Sequence, residues 1–187
     1  SMSCDLLSST TLGKHYEGSI FDLDLSSFDL LIAHPPCTYL TISAEWAYKE
    51  RNEINKNLSS DKLYGAERKA ARKEAIKFFL KLANSKVKKI AIENPVGVMS
   101  TAWRKPDQYI QPYQFGHNAS KKTGLWLKNL PLLMPTKLIK PRMINGKPRW
   151  DNQTDSGQNR LPPSKDRSKI RSITYTGIAE AMAKQWS

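Results

Sequence analysis

Two short apolar runs, each cut off by proline, constrain the fold of this chain more than any other feature. Phe28-Asp29-Leu30-Leu31-Ile32-Ala33 runs into Pro35-Pro36, and Val87 to Ile92 runs into Glu93-Asn94-Pro95. Nearly continuous aliphatic runs of this length are how strands buried on both faces read. Proline stops each one because it lacks a backbone donor and forces the residue before it out of helical geometry. Between the runs, from about Asp61 to Ala83, the spacing turns helical. Leu63, Ala66, Ala70, Ile76, Phe79, Leu80 and Ala83 line one side with Lys and Arg opposite, and Ser60 stands where an N-cap is needed. Strand, helix, strand predicts a right-handed crossover unit, and hence an α/β fold with a parallel pair at its centre.

The rest of the chain is read around that unit. Leu125 to Leu133 is a further extended segment, and Pro131 within it points to a sheet edge. Residues 141 to 172 are rich in Pro, Asn, Gly, Lys and Arg and read as a long basic loop. Thr176 to Trp186 returns to helix, with Ile178, Ala179, Met182 and Ala183 as an apolar stripe that packs back on the sheet. The 187 residues suit one core, so residues 1–187 are expected to form a single domain.

Charge narrows the partner. Thirty Lys and Arg stand against 17 Asp and Glu, a formal charge of +13, which favours a polyanion such as nucleic acid. Cys4 and Cys37, the two cysteines, belong to no CxxC pair and build no disulfide framework, which points to a reducing, cytoplasmic compartment. No apolar run approaches the roughly 20 residues that span a bilayer, so a membrane partner is not expected. Three histidines without metal-ligand spacing predict no metal site.

In open α/β sheets, ligands bind beyond the carboxyl ends of the strands. Two candidate sites fall there: His34-Pro35-Pro36-Cys37-Thr38 after the first strand and Glu93-Asn94-Pro95 at the end of the second. A thiol in a proline-stiffened turn can attack an electron-poor ring carbon as its thiolate, and a neighbouring carboxylic acid can protonate that ring. His34 and His117 read as loop-bracing donors. Lys69, Arg72, Lys73, Lys77 and Lys81 read as a solvated helix face, with phosphate contact as the competing reading. Trp46 and Tyr48, in the loop after Cys37, either close over a base or cover the core.

Pro35-Pro36-Cys37 and Glu93-Asn94 resemble the nucleophile and Glu-Asn motifs of the cytosine-5 DNA methyltransferases, in the same order and with a helix between them. More narrowly, Ser3-Cys4-Asp5-Leu6-Leu7, Ile32 to Thr38, Gln111 to His117 and Thr176 to Ala183 resemble small methyltransferase-like proteins encoded by bacteriophages. The resemblance covers most of the chain and implies a Rossmann-like methyltransferase fold, a mostly parallel sheet flanked by helices. It implies Cys37, in the turn with Pro36, as the nucleophile and Glu93 as the group at the adjacent ring nitrogen, with Asn94 supporting the turn. S-adenosylmethionine would be the cofactor, its ribose on Asp5 and its adenine near Gly18-Ser19-Ile20, with Asp22 a looser candidate and Pro35 on the cofactor side of the turn. DNA would be the partner, with the target base flipped out of the duplex, and the host-cell cytoplasm the location of a phage-encoded protein.

The sequence departs from that pattern in two places. The family opens on a strand and a Gly-rich turn, and nothing like them precedes Cys4; Gly13 and Gly18 are too late and too far apart to replace it. The fold is therefore expected to be incomplete at its amino end. For the family's Gln-Arg-Arg pattern, Gln158-Asn159-Arg160 and Arg167 to Arg171 are only loose matches. The alternative reading is a catalytically inactive methyltransferase-like phage protein that binds nucleic acid or a host protein. An amino-group methyltransferase ranks third, since its Pro-Pro turn carries an aromatic residue where Cys37 stands.

Overall fold

The computed structural model describes every residue except 10, 11, 55, 56, 163, 165 and 166, and every side chain except those and 168 and 169. Its elements, in chain order, are β1 (Ser3–Asp5), β2 (His15–Glu17), β3 (Leu30–Ala33), α1 (Gly65–Ala83), β4 (Lys89–Pro95), the single turn α2 (Met99–Ala102), β5 (Gln108–Ile110), β6 (Thr123–Lys128), β7 (Arg142–Ile144), β8 (Lys147–Arg149), α3 (Arg167–Ser172) and α4 (Thr176–Trp186). The central sheet has the order β3-β4-β6-β5. Strands β3 and β4 are parallel, with Leu30 opposite Lys89 and Ala33 opposite Ile92, and α1 lies between them in sequence. A separate parallel pair joins β1 to β2, with Cys4 opposite Tyr16.

The expected Rossmann-like methyltransferase fold with a mostly parallel sheet is not what forms. Strand β6 runs antiparallel to both β4 and β5, so the central sheet is mixed and the remaining sheets are two-stranded pairs. The reason lies in the connection. A parallel neighbour is usually reached through a helix that crosses over the face of the sheet. Between β5 and β6 there is only a 3-10 turn at Pro112–Gln114 and a left-handed Gly116 at φ 85°, so the chain doubles back. Antiparallel pairing also carries β4 through Glu93, Asn94 and Pro95, opposite Leu125, Gly124 and Thr123, where the proline had suggested its end. Segment 125–133 is likewise reassigned: β6 lies inside the sheet, and Pro131 follows the strand instead of interrupting it.

Helix α1 starts at Gly65, four residues after the expected Asp61, and Tyr64, not Ser60, is its N-cap residue. Gly65 has φ 53°, a left-handed value that ends any helical run entering from upstream. The basic segment 141–172 is not a plain loop, since it contains β7, β8 and α3. Strands β7 and β8 pair antiparallel around Asn145 and Gly146, whose φ values of 49° and 72° belong to a type I′ hairpin turn. Within that segment residues 163, 165 and 166 lie outside the described residues.

Two apolar layers flank the sheet. On one face Phe79 and Leu82 of α1 meet Ile90, Ile92 and Trp126, and the Phe79 and Trp126 rings meet edge to face at 5.1 Å. On the other, Ile178, Ala181, Met182 and Trp186 of α4 meet Ala91, Ile110, Phe115 and Leu125. Ala179 and Ala183, expected in the α4 stripe, are exposed; the buried ridge is 178, 181, 182 and 186. Among the described residues no helix is long and apolar enough to cross a membrane.

Trp186 fastens α4: it is 2% exposed and its Nε1 donates to the Pro131 carbonyl at 3.0 Å. Replacing Trp186 by Ala removes a large buried side chain and leaves that carbonyl without its donor. The expected loss is about 3–5 kcal/mol, read as a lower urea midpoint with an unchanged slope.

Candidate functional site

Alternation along β4 sorts its side chains between the two layers. Ile90, Ile92 and Asn94 face α1, whereas Ala91 and Glu93 face the other side. Because β3 is parallel to β4 and in register, the turn after Ala33 arrives beside Glu93 and Asn94. Asn94 is 1% exposed and its Nδ2 donates to the Pro35 carbonyl at 3.0 Å. On the opposite face, His34 Nδ1 lies 2.6 Å from Glu93 Oε2, with side-chain exposures of 46% and 9% respectively. Each face of the two-strand unit thus contributes one bond that holds the Pro35-Pro36-Cys37 turn against the end of β4.

The His34 contact decides the charge of Glu93. Burial alone would push the carboxyl up, but the His34 hydrogen bond, and then the charges of His34 and Lys121, outweigh it and hold the group below the ordinary carboxylate range. Glu93 is therefore a carboxylate at neutral pH. Asn94 is bound on one side only: among the described residues its buried Oδ1 has no hydrogen-bond partner, which costs about 1–3 kcal/mol.

The loop after Cys37 is tied to α1. The Cys37 carbonyl accepts from the Leu40 and Thr41 amides, both at 3.0 Å, closing a compact turn. Arg68 donates to the Thr38 carbonyl at 3.4 Å. Arg72 donates to Tyr39 at 2.9 Å and to Thr41 at 3.3 Å, and grips Glu45 with both terminal nitrogens, at 2.6 and 3.3 Å. Its guanidinium also lies 3.6 Å from the centre of the Tyr48 ring. Tyr48 is buried at 9% exposure and so covers the core, while Trp46 is exposed at 38% and leans on Tyr64. The loops that follow the two strands touch as well, since Val98 N donates to Leu40 O at 2.8 Å. Gly97 permits this approach: a Cβ there would collide with the Leu40 carbonyl oxygen.

The other sequence-selected residues lie in a second cluster. Asp5 ends β1 and its Oδ1 accepts from Leu7 N at 3.0 Å, while its carbonyl accepts from Gly18 N at 2.9 Å. Ser19 and Asp22 form a reciprocal capping box around Ile20–Asp22, and Ile20 packs against the α1-side core. Asp5 and Ser19-Ile20 therefore come together through the β1–β2 pair, while Pro35 belongs to the Cys37 turn. A carboxylate with one amide bond keeps acceptor capacity for a ribose diol, so Asp5 fits the expected nucleoside cofactor. Two cavities, one by Ile90 and Trp126 and one by Glu50 and Tyr64, lie away from both clusters.

Cys4 Sγ donates to Gly18 O at 3.5 Å; burial first, then Asp5 and Asp22, push its thiol up, so Cys4 resists forming the nucleophilic thiolate. Among the described residues no group of three or more His, Cys, Asp or Glu side chains is placed to hold a metal. His117 braces a loop, but as an acceptor: its Nε2 takes the Gly177 amide at 2.9 Å. Of the loose Gln-Arg-Arg candidates, Arg160 is spent on the Gln153 carbonyl at 2.8 Å. Sequence reading missed the pairing of His34 with Glu93, the role of Arg68 and Arg72, and Gly97. Two arginines four apart in a lysine-rich helix were the available signal, because a fork that binds several carbonyls at once requires Arg.

Comparison with known proteins adds no relative: no family model, no curated protein and no solved structure matches this chain.

Two results are expected. Asn94→Ala removes the donor to Pro35 but also removes the orphaned Oδ1, so the net loss should be modest, about 1–2 kcal/mol in chemical denaturation. For Glu93 the folded value lies below the unfolded one, so its contribution is complete above the ordinary carboxylate range of about 4.3 and fades as pH falls through the depressed folded value. Wild type should therefore exceed Glu93→Gln in stability at pH 7, with the gap closing on acidification below about pH 4; a gap independent of pH would contradict it.

Proposed function

We propose that this chain is a DNA cytosine-5 methyltransferase-like protein that uses Cys37 as a covalent nucleophile on a flipped cytosine. The observation that carries the reading is the meeting of the Pro35-Pro36-Cys37 turn with Glu93-Asn94 at the ends of two adjacent parallel strands, held by the Asn94–Pro35 and His34–Glu93 bonds. Covalent addition to a pyrimidine needs a sulfur and a proton carrier fixed relative to each other, and two bonds on opposite faces supply that rigidity. S-adenosylmethionine, when bound, supplies the methyl group as an electrophile. The Cys37 thiolate adds to the ring carbon next to the acceptor carbon while a proton neutralises the neighbouring ring nitrogen. Once the acceptor carbon carries the methyl group it loses its own proton to solvent and the Cys37–carbon bond breaks, which restores the ring and returns the thiolate. Glu93 is the group assigned to the ring nitrogen. Since it stands as a carboxylate, the proton reaches it through His34, which is half exposed to solvent. Asp5 and the Ser19-Ile20 turn take the cofactor's ribose and adenine, and the excess of 13 positive charges favours the DNA phosphates.

The test pairs calorimetric titration of S-adenosylmethionine with methyl transfer to cytosine-containing duplex DNA. Micromolar binding is expected, as is transfer that Cys37→Ser abolishes and Glu93→Gln lowers by about 10²-fold or more. Cofactor binding absent from folded protein, with DNA binding retained, would replace this reading with that of an inactive nucleic-acid-binding protein.

A further inference from the structure

Acidic residues vanish from one long stretch of this chain. Between Asp107 and Asp151 no Asp or Glu occurs, whereas Lys121, Lys122, Lys128, Lys137, Lys140, Arg142, Lys147 and Arg149 do. A solvated face of ordinary composition carries both signs, so a one-sign stretch of this length marks a surface built for an anion. Some of these cations are used internally. Lys128 donates to the carbonyls of Ser85 and Val87, Lys122 lies over the Tyr109 ring, and Arg142 pairs with Asp155. Lys137, Lys140 and Lys147 are exposed, and among the described residues none of the three pairs with a carboxylate.

Those three lysines flank or belong to the β7–β8 hairpin, which projects one face without cover. Met143 and Pro148 lie opposite each other and both are exposed. The base of the hairpin, by contrast, is fixed. Arg149 Nε donates to the Asp155 carbonyl at 2.9 Å, and Trp150 stacks on Tyr113 with ring centres 4.4 Å apart. The Asn152 side chain binds the Ser120 backbone twice, accepting its amide at 3.0 Å and donating to its carbonyl at 2.8 Å. Ser120 lies three residues before Thr123, which pairs with Pro95 at the end of β4. The hairpin is thus anchored to the segment that enters the candidate site.

We infer that the β7–β8 hairpin is the DNA-docking ribbon of this protein: it enters a groove of duplex DNA with Met143 and Pro148 against the bases, while Lys137, Lys140 and Lys147 hold the flanking phosphates. A two-stranded ribbon fits the major groove of B-form DNA, whereas the deep, narrow major groove of an RNA duplex excludes it. A pre-fixed base means that little ordering entropy is lost on docking. The inference rests on the proposed action on DNA for its partner, but its test needs no catalysis.

Fluorescence anisotropy with a duplex DNA oligonucleotide, over a salt series, compares wild type with the triple variant Lys137→Gln/Lys140→Gln/Lys147→Gln and a charge-matched control, Lys86→Gln/Lys88→Gln/Lys184→Gln. Every phosphate that a variant no longer neutralises lowers the slope of log affinity against log salt by about 0.9. The hairpin triple should lower it by about 2–3 and weaken binding by about 10-fold or more near 0.1 M salt, while the control, with the same net charge, stays within about twofold of wild type. Met143→Ala should weaken binding without changing the slope. Equal weakening in both triples, no weakening in either, or tighter binding of an RNA duplex would overturn the inference. If the hairpin triple alone loses binding but no methyl transfer occurs, the proposed chemistry fails and the docking surface stands. If methyl transfer occurs with an unchanged KM in the hairpin triple, the docking surface fails and the chemistry stands.

Discussion

Strand β4 is covered on both faces and both edges, and most of the molecule is arranged by that fact. A backbone segment so enclosed must satisfy all its donors and acceptors within the protein. It does so by pairing with β3 in parallel and β6 in antiparallel register. The same enclosure fixes which side chains go where: Ile90 and Ile92 can only enter the α1 layer, Ala91 only the α4 layer. At the carboxyl end the alternation continues with polar residues, and there burial becomes chemistry. Glu93 and Asn94 are forced toward opposite faces, and each meets a partner from the turn that ends β3.

That arrangement reconciles two features that conflict at the level of single residues. A carboxylate at 9% side-chain exposure resists ionisation, yet Glu93 stays charged because His34 lies within hydrogen-bond distance and Lys121 adds its field. An amide with an orphaned oxygen costs stability, yet Asn94 is retained at the point where its nitrogen positions Pro35. Departures from local optimality of this kind are where function is expected to lie.

Much of the fold was legible from apolar period and proline placement. The strand ending at Ala33, the aliphatic part of β4 up to Ile92, the helix ending at Ala83 and the helix from Thr176 to Trp186 each show in the apolar pattern, although β4 runs on through Pro95 and Leu63, Ala66 and Ala70 of the expected helix stripe are exposed. The direction of β6 was not legible from its own residues, because side-chain alternation is the same in either orientation; it is decided by the lack of a helix between 111 and 122. The hairpin has a local signal, since Asn145-Gly146 is the dipeptide that a type I′ turn selects, but the prolines and lysines around it carry the composition of a loop. At the candidate site the thiol, carboxylate and amide could be chosen from their positions after strands. The pairing of His34 with Glu93 depends on the register of two strands far apart in the chain, which no local pattern encodes.

The arginine contacts of α1 have a consequence for motion. Leu40 and Thr41 bond back to Cys37, and the carbonyls around them are held by Arg68 and Arg72, so the turn that presents the thiol has no independent freedom. To open, it must break contacts with a helix whose Phe79 and Leu82 lie in the core. Loop and helix therefore form one cooperative unit of local unfolding, and the amide hydrogens of residues 40 and 41 are expected to exchange with solvent at the pace of α1, more slowly than those of an ordinary surface loop.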